Sequence, residues 1–346
     1  MKLEAEKIKK VLIIGLSCVG DMVLATAALW NLRRFLPHAR FTILASPQAM
    51  QVLENDPLWD VVEEYKRKKG FWGRIDSARM IRSIPHDLLI DLRSSAMPLV
   101  CGARYAPLWG LRELMLPKTM HEAERNICCM QTLGVPVFSR RLRFFVSPAA
   151  TEQVEHELVE KGTKFPLVLL NPGSQDPGKN WPAEKFLALA RKIHSELNVT
   201  VGITGYARYE RELAGHICEE MRSERCIDFS GEYPISRLGA LLERAMLFVT
   251  NDTGPLHVAS AVGTPTVGLY RAKNLPRFGP WGTVHRSLVP SLPDDDYSME
   301  RISVEEVWNA CCEVLNSTGS FSGNVGTRSF REEGEKVEQR NECAFQ

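Results

Sequence analysis

Short aliphatic and β-branched runs bounded by turn residues alternate along this chain with longer stretches whose apolar positions recur at helical spacing. That alternation reads as buried strands of a parallel sheet joined by crossover helices. A first series has predicted strands at 10–15, 40–45 and 88–92, with helices at 21–35 and 121–133. The pattern breaks at Gly134-Val135-Pro136, passes through an extended stretch at 142–146 and resumes with a helix at 149–161. A second series follows, with strands at 167–171, 199–204, 247–250 and 266–270 and helices at 183–197, 209–221, 235–245 and 254–262. Two series of similar size, each opening on a strand and a glycine-containing turn, predict an α/β protein of two Rossmann-like domains facing across a cleft. The expected divisions are 1–150, 151–315 and a tail at 316–346, with the boundary between the halves near 148–166. The tail is rich in Ser, Gly, Asn, Glu, Lys and Arg, and is expected to be disordered.

Composition narrows the classes. Of 346 residues, 44% are hydrophobic and 25% charged, enough apolar material for two cores. Lys and Arg number 43 against 42 Asp and Glu, which argues against a nucleic-acid binder carried by bulk charge. No apolar run reaches the roughly 18 residues of a membrane span. The first ten residues are charged and lead into a short strand instead of a signal core, so a cytoplasmic protein is expected. Nine scattered cysteines include two adjacent pairs and no Cys-x-x-Cys, so neither a zinc site nor a disulfide framework is indicated. Most are expected to be small buried hydrophobes.

Three strand-to-helix turns carry candidate chemistry. The first is Gly15-Leu16-Ser17-Cys18-Val19-Gly20-Asp21-Met22. Ligands in open α/β sheets bind beyond the carboxyl ends of the strands, so Asp21 is placed at the cleft. As a plain helix cap or first-turn acid, Asp21 would contribute roughly 0.5–2 kcal/mol and nothing more. The turn lacks the third glycine of a dinucleotide fingerprint and an Asp there repels a pyrophosphate, so a nicotinamide dehydrogenase is disfavoured. The second turn is Asn171-Pro172-Gly173-Ser174-Gln175-Asp176-Pro177-Gly178-Lys179-Asn180-Trp181-Pro182, where N–H groups near Gly173 and Ser174 and the Lys179 ammonium suit a phosphate. Lys179 as a solvated loop lysine and Trp181-Pro182 as a helix staple is the competing reading. The third is Asn251-Asp252-Thr253-Gly254-Pro255-Leu256-His257, a polar turn opening a helix whose N–H groups and dipole favour an anion, or in which Asp252 or Thr253 only caps. A cation and a helix N-terminus in one half argue for a bound diphosphate.

Together these segments resemble glycosyltransferase family 9, the ADP-heptose:lipopolysaccharide heptosyltransferases, over most of residues 9–285. The resemblance rests on Gly20-Asp21-Met22-Val23-Leu24-Ala25-Thr26, on Asn171-Pro172-Gly173-Ser174 with Lys179-Asn180-Trp181-Pro182, and on Asn251 to His257. His121-Glu122-Ala123-Glu124-Arg125-Asn126 and Arg277-Phe278-Gly279-Pro280 are similar to further segments of the family. It implies a GT-B fold and an inverting, metal-independent transfer of heptose from ADP-heptose to a lipid-linked saccharide of the lipopolysaccharide inner core, with no cofactor. By motif match Asp21 would be the general base. Ser174, Lys179, Thr253, Gly254 and His257 would hold the donor diphosphate, and Asp252 the donor sugar. His257 reads equally as a phosphate donor or as a packed ring. Glu210 is a ribose-hydroxyl candidate, although Gly205-Tyr206-Ala207-Arg208 departs from the family's glycine-rich acidic turn and leaves base and ribose contacts open.

On the acceptor side, Arg93 after the strand ending at residue 92 is a candidate for phosphates or carboxylates, with a structural salt bridge as the alternative. Lys66-Arg67-Lys68-Lys69 with Phe71 and Trp72 reads as a solvated charge run or as a patch for phosphorylated lipid headgroups, which adds peripheral contact with the inner membrane's inner face to the expectations. Within the same fold, another nucleotide sugar or a surface-polysaccharide acceptor is the alternative. From a different class, a non-catalytic nucleotide-binding module is disfavoured because binding alone does not require an acid at position 21.

Overall fold

The structure, a computed structural model, describes residues 2–66, 70–291 and 298–319. In the first half the chain runs β1 (Lys10–Ile14), α1 (Val19–Phe35), β2 (Arg40–Ala45), α2 (Pro47–Met50), β3 (Val61–Glu64), α3 (Gly70–Ser83), β4 (Leu88–Asp91), α4 (Trp109–Leu114) and α5 (Glu122–Thr132). It continues with α6 (Pro148–Glu160), β5 (Leu167–Asn171), α7 (Ala183–Leu197), β6 (Thr200–Ile203), α8 (Arg208–Met221), β7 (Cys226–Asp228), α9 (Ile235–Glu243), β8 (Leu247–Asn251), α10 (Gly254–Val262), β9 (Thr266–Leu269), α11 (Leu275–Phe278), β10 (His285–Leu288) and α12 (Val304–Ser317). The strands form two sheets that share no strand, ordered β3-β2-β1-β4 and β10-β9-β8-β5-β6-β7, and their pairings are parallel.

Alternation along the strands explains the layering. On β1, Val11 and Ile13 face one apolar cluster while Leu12 and Ile14 face another, and on β5 Leu167 and Leu169 oppose Val168 and Leu170 in the same way. One continuous cluster joins α1 and α5 beneath the first sheet to α9 and α10 beneath the second. The outer face of the second sheet is covered by α7, α8 and α12, and that of the first by residues around Tyr65, Ile81 and Cys101. This is the mixed α/β architecture in two series expected from the alternation, and it agrees with the GT-B fold that the family resemblance implies.

The major strands and helices stand within a few residues of their expected limits. The stretch at 142–146 forms no ladder; the Arg143 N–H donates to the Thr26 hydroxyl at 2.9 Å instead. The cysteine expectation needs correction. Cys101, Cys129 and Cys311 are buried, but Cys18 is exposed and Cys128, Cys218, Cys226 and Cys312 are half-buried. Arg67, Lys68 and Lys69 of the basic run, and residues 320–346 of the expected tail, lie outside the described residues. Among the described residues no helix is long and apolar enough to cross a membrane.

Candidate active site

The site forms where two helices meet end to end. Each follows a strand, α1 after β1 and α10 after β8, so both N-termini lie beyond carboxyl ends of their sheets. Two glycines permit the approach. A Cβ on Gly20 would stand 2.7 Å from His257 Cδ2, and one on Gly254 would stand 3.3 Å from Val19 Cβ. Neither helix has a side-chain cap, since the flanking residues Cys18 and Thr253 make no such bond. Two dipole ends and their first-turn N–H groups therefore converge on one locus. Asp21 sits in the first turn of α1 without acting as its cap.

Asp21 is half-buried, and burial raises its pKa above the ordinary aspartate range. Glu122 and Asp252 push it further up, whereas Arg277 and Lys179 pull it down. Those four charges come from four separate segments, so the first-turn acid stands at the centre of the arrangement. Raised basicity in a carboxylate is what proton abstraction near neutral pH requires.

The second and third turns are tied together by two buried asparagines at the ends of adjacent strands. Asn171 Nδ2 donates to the Gly173 carbonyl at 3.3 Å and to Thr250 Oγ1 at 3.2 Å, while its Oδ1 accepts from Thr204 Oγ1 at 3.2 Å. Asn251 Oδ1 accepts the Trp181 N–H at 3.0 Å and its Nδ2 donates to the Pro172 carbonyl at 2.8 Å. Trp181 is fully buried, with Nε1 donating to the Ile302 carbonyl at 2.8 Å, so it anchors the turn in the core.

Lys179 is carried across to the third turn. Its Nζ lies 2.7 Å from Asp252 Oδ2 and 3.3 Å from the Asp252 carbonyl, so it is no solvated loop lysine. Asn274 Nδ2 donates to the same Oδ2 at 2.8 Å. Arg271 braces the second turn through the Gly178 carbonyl at 2.7 Å and Asp176 at 3.4 Å. Ser174 is buried, its hydroxyl donating to the Asp176 carbonyl at 2.7 Å, and its own carbonyl accepts from the Tyr209 hydroxyl.

His257 is almost fully buried, and its Nδ1 has no partner among the described residues. Burial lowers its pKa to about 4, so the ring is neutral near pH 7 and available as a hydrogen-bonding group, not as a cation. Glu210 lies beside the second turn, against Gly173, where an added Cβ would meet its Cγ at 2.4 Å. Its Oε2 accepts the Tyr206 and Ala207 N–H groups at 2.7 and 2.9 Å, so this side chain caps α8, a role the sequence did not disclose. Arg93 lies at the carboxyl edge of the first sheet, donating from Nε to the Gly15 carbonyl at 2.6 Å and stacking over Tyr65 at 5.1 Å.

The fold thus brings Asp21, Ser174, Lys179, Asp252, Thr253, Gly254 and His257 to one junction, with Glu210 on its second-half side and Arg93 beside the β1 turn. Sequence reasoning missed Asn274, Arg271 and Tyr209, whose contacts exist only once distant segments meet. Asn274 and Arg271 lie in Arg271-Ala272-Lys273-Asn274, a polar stretch directly after β9 that was legible as a strand-end loop.

Two parallel sheets with strand-end turns facing one another, an acid on one side and a cation with a helix N-terminus on the other, are the arrangement that a resemblance to glycosyltransferases of GT-B architecture implies. The chain belongs to glycosyltransferase family 9 (heptosyltransferase), whose family model matches residues 112–295. It is 23% identical over 286 residues to lipopolysaccharide heptosyltransferase 3 of Escherichia coli, covering 76% of this chain and 83% of that protein. The solved family 9 glycosyltransferase of Veillonella parvula is similar with a TM-score of 0.75 at 26% identity, covering 89% of this chain and 97% of the other. The structure of E. coli ADP-heptose LPS heptosyltransferase II matches in fold with a TM-score of 0.70 at 23% identity, over 90% and 99% of the two chains.

Proposed function

We propose that the protein transfers heptose from ADP-heptose to the lipopolysaccharide inner core, with inversion and without a metal ion. Asp21 between two uncapped helix N-termini carries this reading, and the relatives named as lipopolysaccharide heptosyltransferases supply the sugar and the acceptor class. The division of labour follows the two sheets: residues 1–150 receive the acceptor, and residues 151–315 hold the donor.

In the reaction, Asp21 takes the proton of an acceptor hydroxyl while that oxygen attacks the anomeric carbon from the face opposite the diphosphate. The new C–O bond forms as the bond to the β-phosphate oxygen breaks, inverting the centre and releasing ADP. Negative charge grows on the departing diphosphate, and fixed donors stabilise it there more than in the ground state. Pro255 has no N–H and the Leu256 N–H donates to the Thr253 carbonyl at 3.1 Å, so the donors of this turn are Thr253 and Gly254. Lys179 directs two of its three N–H bonds to Asp252 and offers the third to a phosphate oxygen. Ser174 lies along the same diphosphate, and His257 donates from its neutral ring. Lys179 and Asn274 both donate to Asp252 Oδ2, so Oδ1 serves the donor sugar. Glu210 Oε1, which also accepts from the Tyr209 hydroxyl at 3.1 Å, is assigned to a ribose hydroxyl, and Arg93 to an anionic group of the acceptor.

Contact with the inner face of the inner membrane fits the exposed apolar side chains Leu99, Leu111, Leu114 and Met115. Their two segments are joined by Ser94 Oγ donating to Glu113 at 3.0 Å, next to Arg93.

The test is transfer by Asp21→Asn with ADP-heptose and an inner-core acceptor. Turnover is expected to vanish while ADP affinity stays within about threefold, because the base acts on the acceptor. Near-normal turnover would sink the role. Wild-type activity is expected to survive EDTA; loss restored by magnesium would refute the metal-independent step.

A further inference from the structure

Two segments noted in the sequence without a role, His121 to Asn126 and Arg277 to Pro280, meet across the junction of the halves. Arg277 NH2 lies 2.6 Å and Nε 3.2 Å from Glu122 Oε2. His121 Nε2 and the Gly279 carbonyl are 2.9 Å apart, the His121 ring stacks on Trp281 at 4.5 Å between centroids, and Trp281 Nε1 donates to the Arg140 carbonyl at 2.7 Å. The start of α5 is therefore latched to α11 through Arg277 and to the segment that follows it through Gly279 and Trp281, and the latch includes a largely buried carboxylate.

We propose that Glu122 and Arg277 are positioning residues for Asp21: their ion pair joins the two halves and sets the charge around the carboxyl that lies between them. The assignment rests on Asp21 being the base. Glu122 is, after burial, the largest influence raising the Asp21 pKa, and Arg277 is the largest one lowering it. Besides this pair, Asp21 faces Lys179 from the second turn, Asp252 from the third and the Cys18 thiol from its own helix start, with the neutral His257 ring packed over Gly20. Of these, only Glu122 and Arg277 pair across the junction, so proper seating of the halves and proper basicity of Asp21 depend on the same contact. Arg125, 3.6 Å from Glu122 and anchored on the Pro117 carbonyl at 2.8 Å, keeps Glu122 paired when Arg277 is replaced. That backing favours folded Arg277 variants.

The experiment titrates the Asp21 carboxyl by carbon NMR in full-length protein labelled at aspartate carboxyls, the signal being assigned by its loss in Asp21→Asn. Glu122→Gln is expected to lower the midpoint, and Arg277→Gln to raise it, each by about half a pH unit or more. Glu122→Asp and Arg277→Lys, which keep the charges, are expected to stay near wild type. Neutral variants that leave the midpoint unmoved, or move it in the same direction, would overturn the proposal. So would charge-keeping variants that shift as far as the neutral ones, the mark of a merely structural latch. Transfer by Asp21→Asn would overturn the base assignment instead, and the titration is read without any substrate.

Discussion

At the scale of single residues, His257 links the candidate site to stability. Its pKa falls from 6.5 to about 4 on burial, so the unfolded chain binds a proton that the folded chain refuses between those values. The contribution is complete above about pH 6.5 and is lost as pH falls toward 4, roughly 2 kcal/mol of it between pH 7 and 5. Urea unfolding at those two pH values is expected to show that loss in wild type and to show less of it in His257→Gln; an equal loss in both would contradict the assignment. The position of Asp21 at the helix start beyond β1 was legible because a strand-end turn alone fixes it. Asn171 and Asn251 were visible as motif members, yet their work in tying two turns together appears only when β5 and β8 lie side by side. Glu210 was read as a ribose partner because it follows the strand-end turn Thr204-Gly205-Tyr206, and the capping of α8 by the same carboxylate went unseen because Ala207 offers no cap of its own.

Among elements, the contact of α1 with α10 decides whether the site exists. Gly20→Ala places a methyl against the His257 ring and is expected to cost about 1–3 kcal/mol while depressing transfer. Gly215→Ala in α8, where an added Cβ meets nothing within 4 Å, is the control and is expected to hold or gain stability by up to about 1 kcal/mol. Thermal unfolding of the two variants checks the contrast; equal behaviour would show that the helices do not meet as described. The central strands were legible since burial on both faces makes them continuous apolar runs. The edge strand β4 was legible too, as a buried apolar run, whereas the edge strands β3, β7 and β10 were not, because their sequences carry charges such as Glu63, Glu64, Asp228 and Arg286. Helix α3 was hidden behind the basic run, and α12 runs through Asn316 and Ser317 into the stretch read as a disordered tail, although Ser303 and Glu306 form its capping box.

For the whole molecule, two sheets divide the proposed chemistry, the acid coming from the first and the groups proposed to cradle a diphosphate from the second. Net charge of +1 gives little long-range steering, so recognition depends on these local groups. The cradle is testable without knowing the acceptor. Calorimetric titration of purified protein with ADP, UDP, GDP and NAD, without added metal, should show selective ADP binding that weakens about tenfold or more in Lys179→Ala. Binding of UDP or GDP in place of ADP would discard the ADP-heptose donor, while NAD binding, silence with all four, or ADP affinity unchanged in Lys179→Ala would contradict the cradle itself.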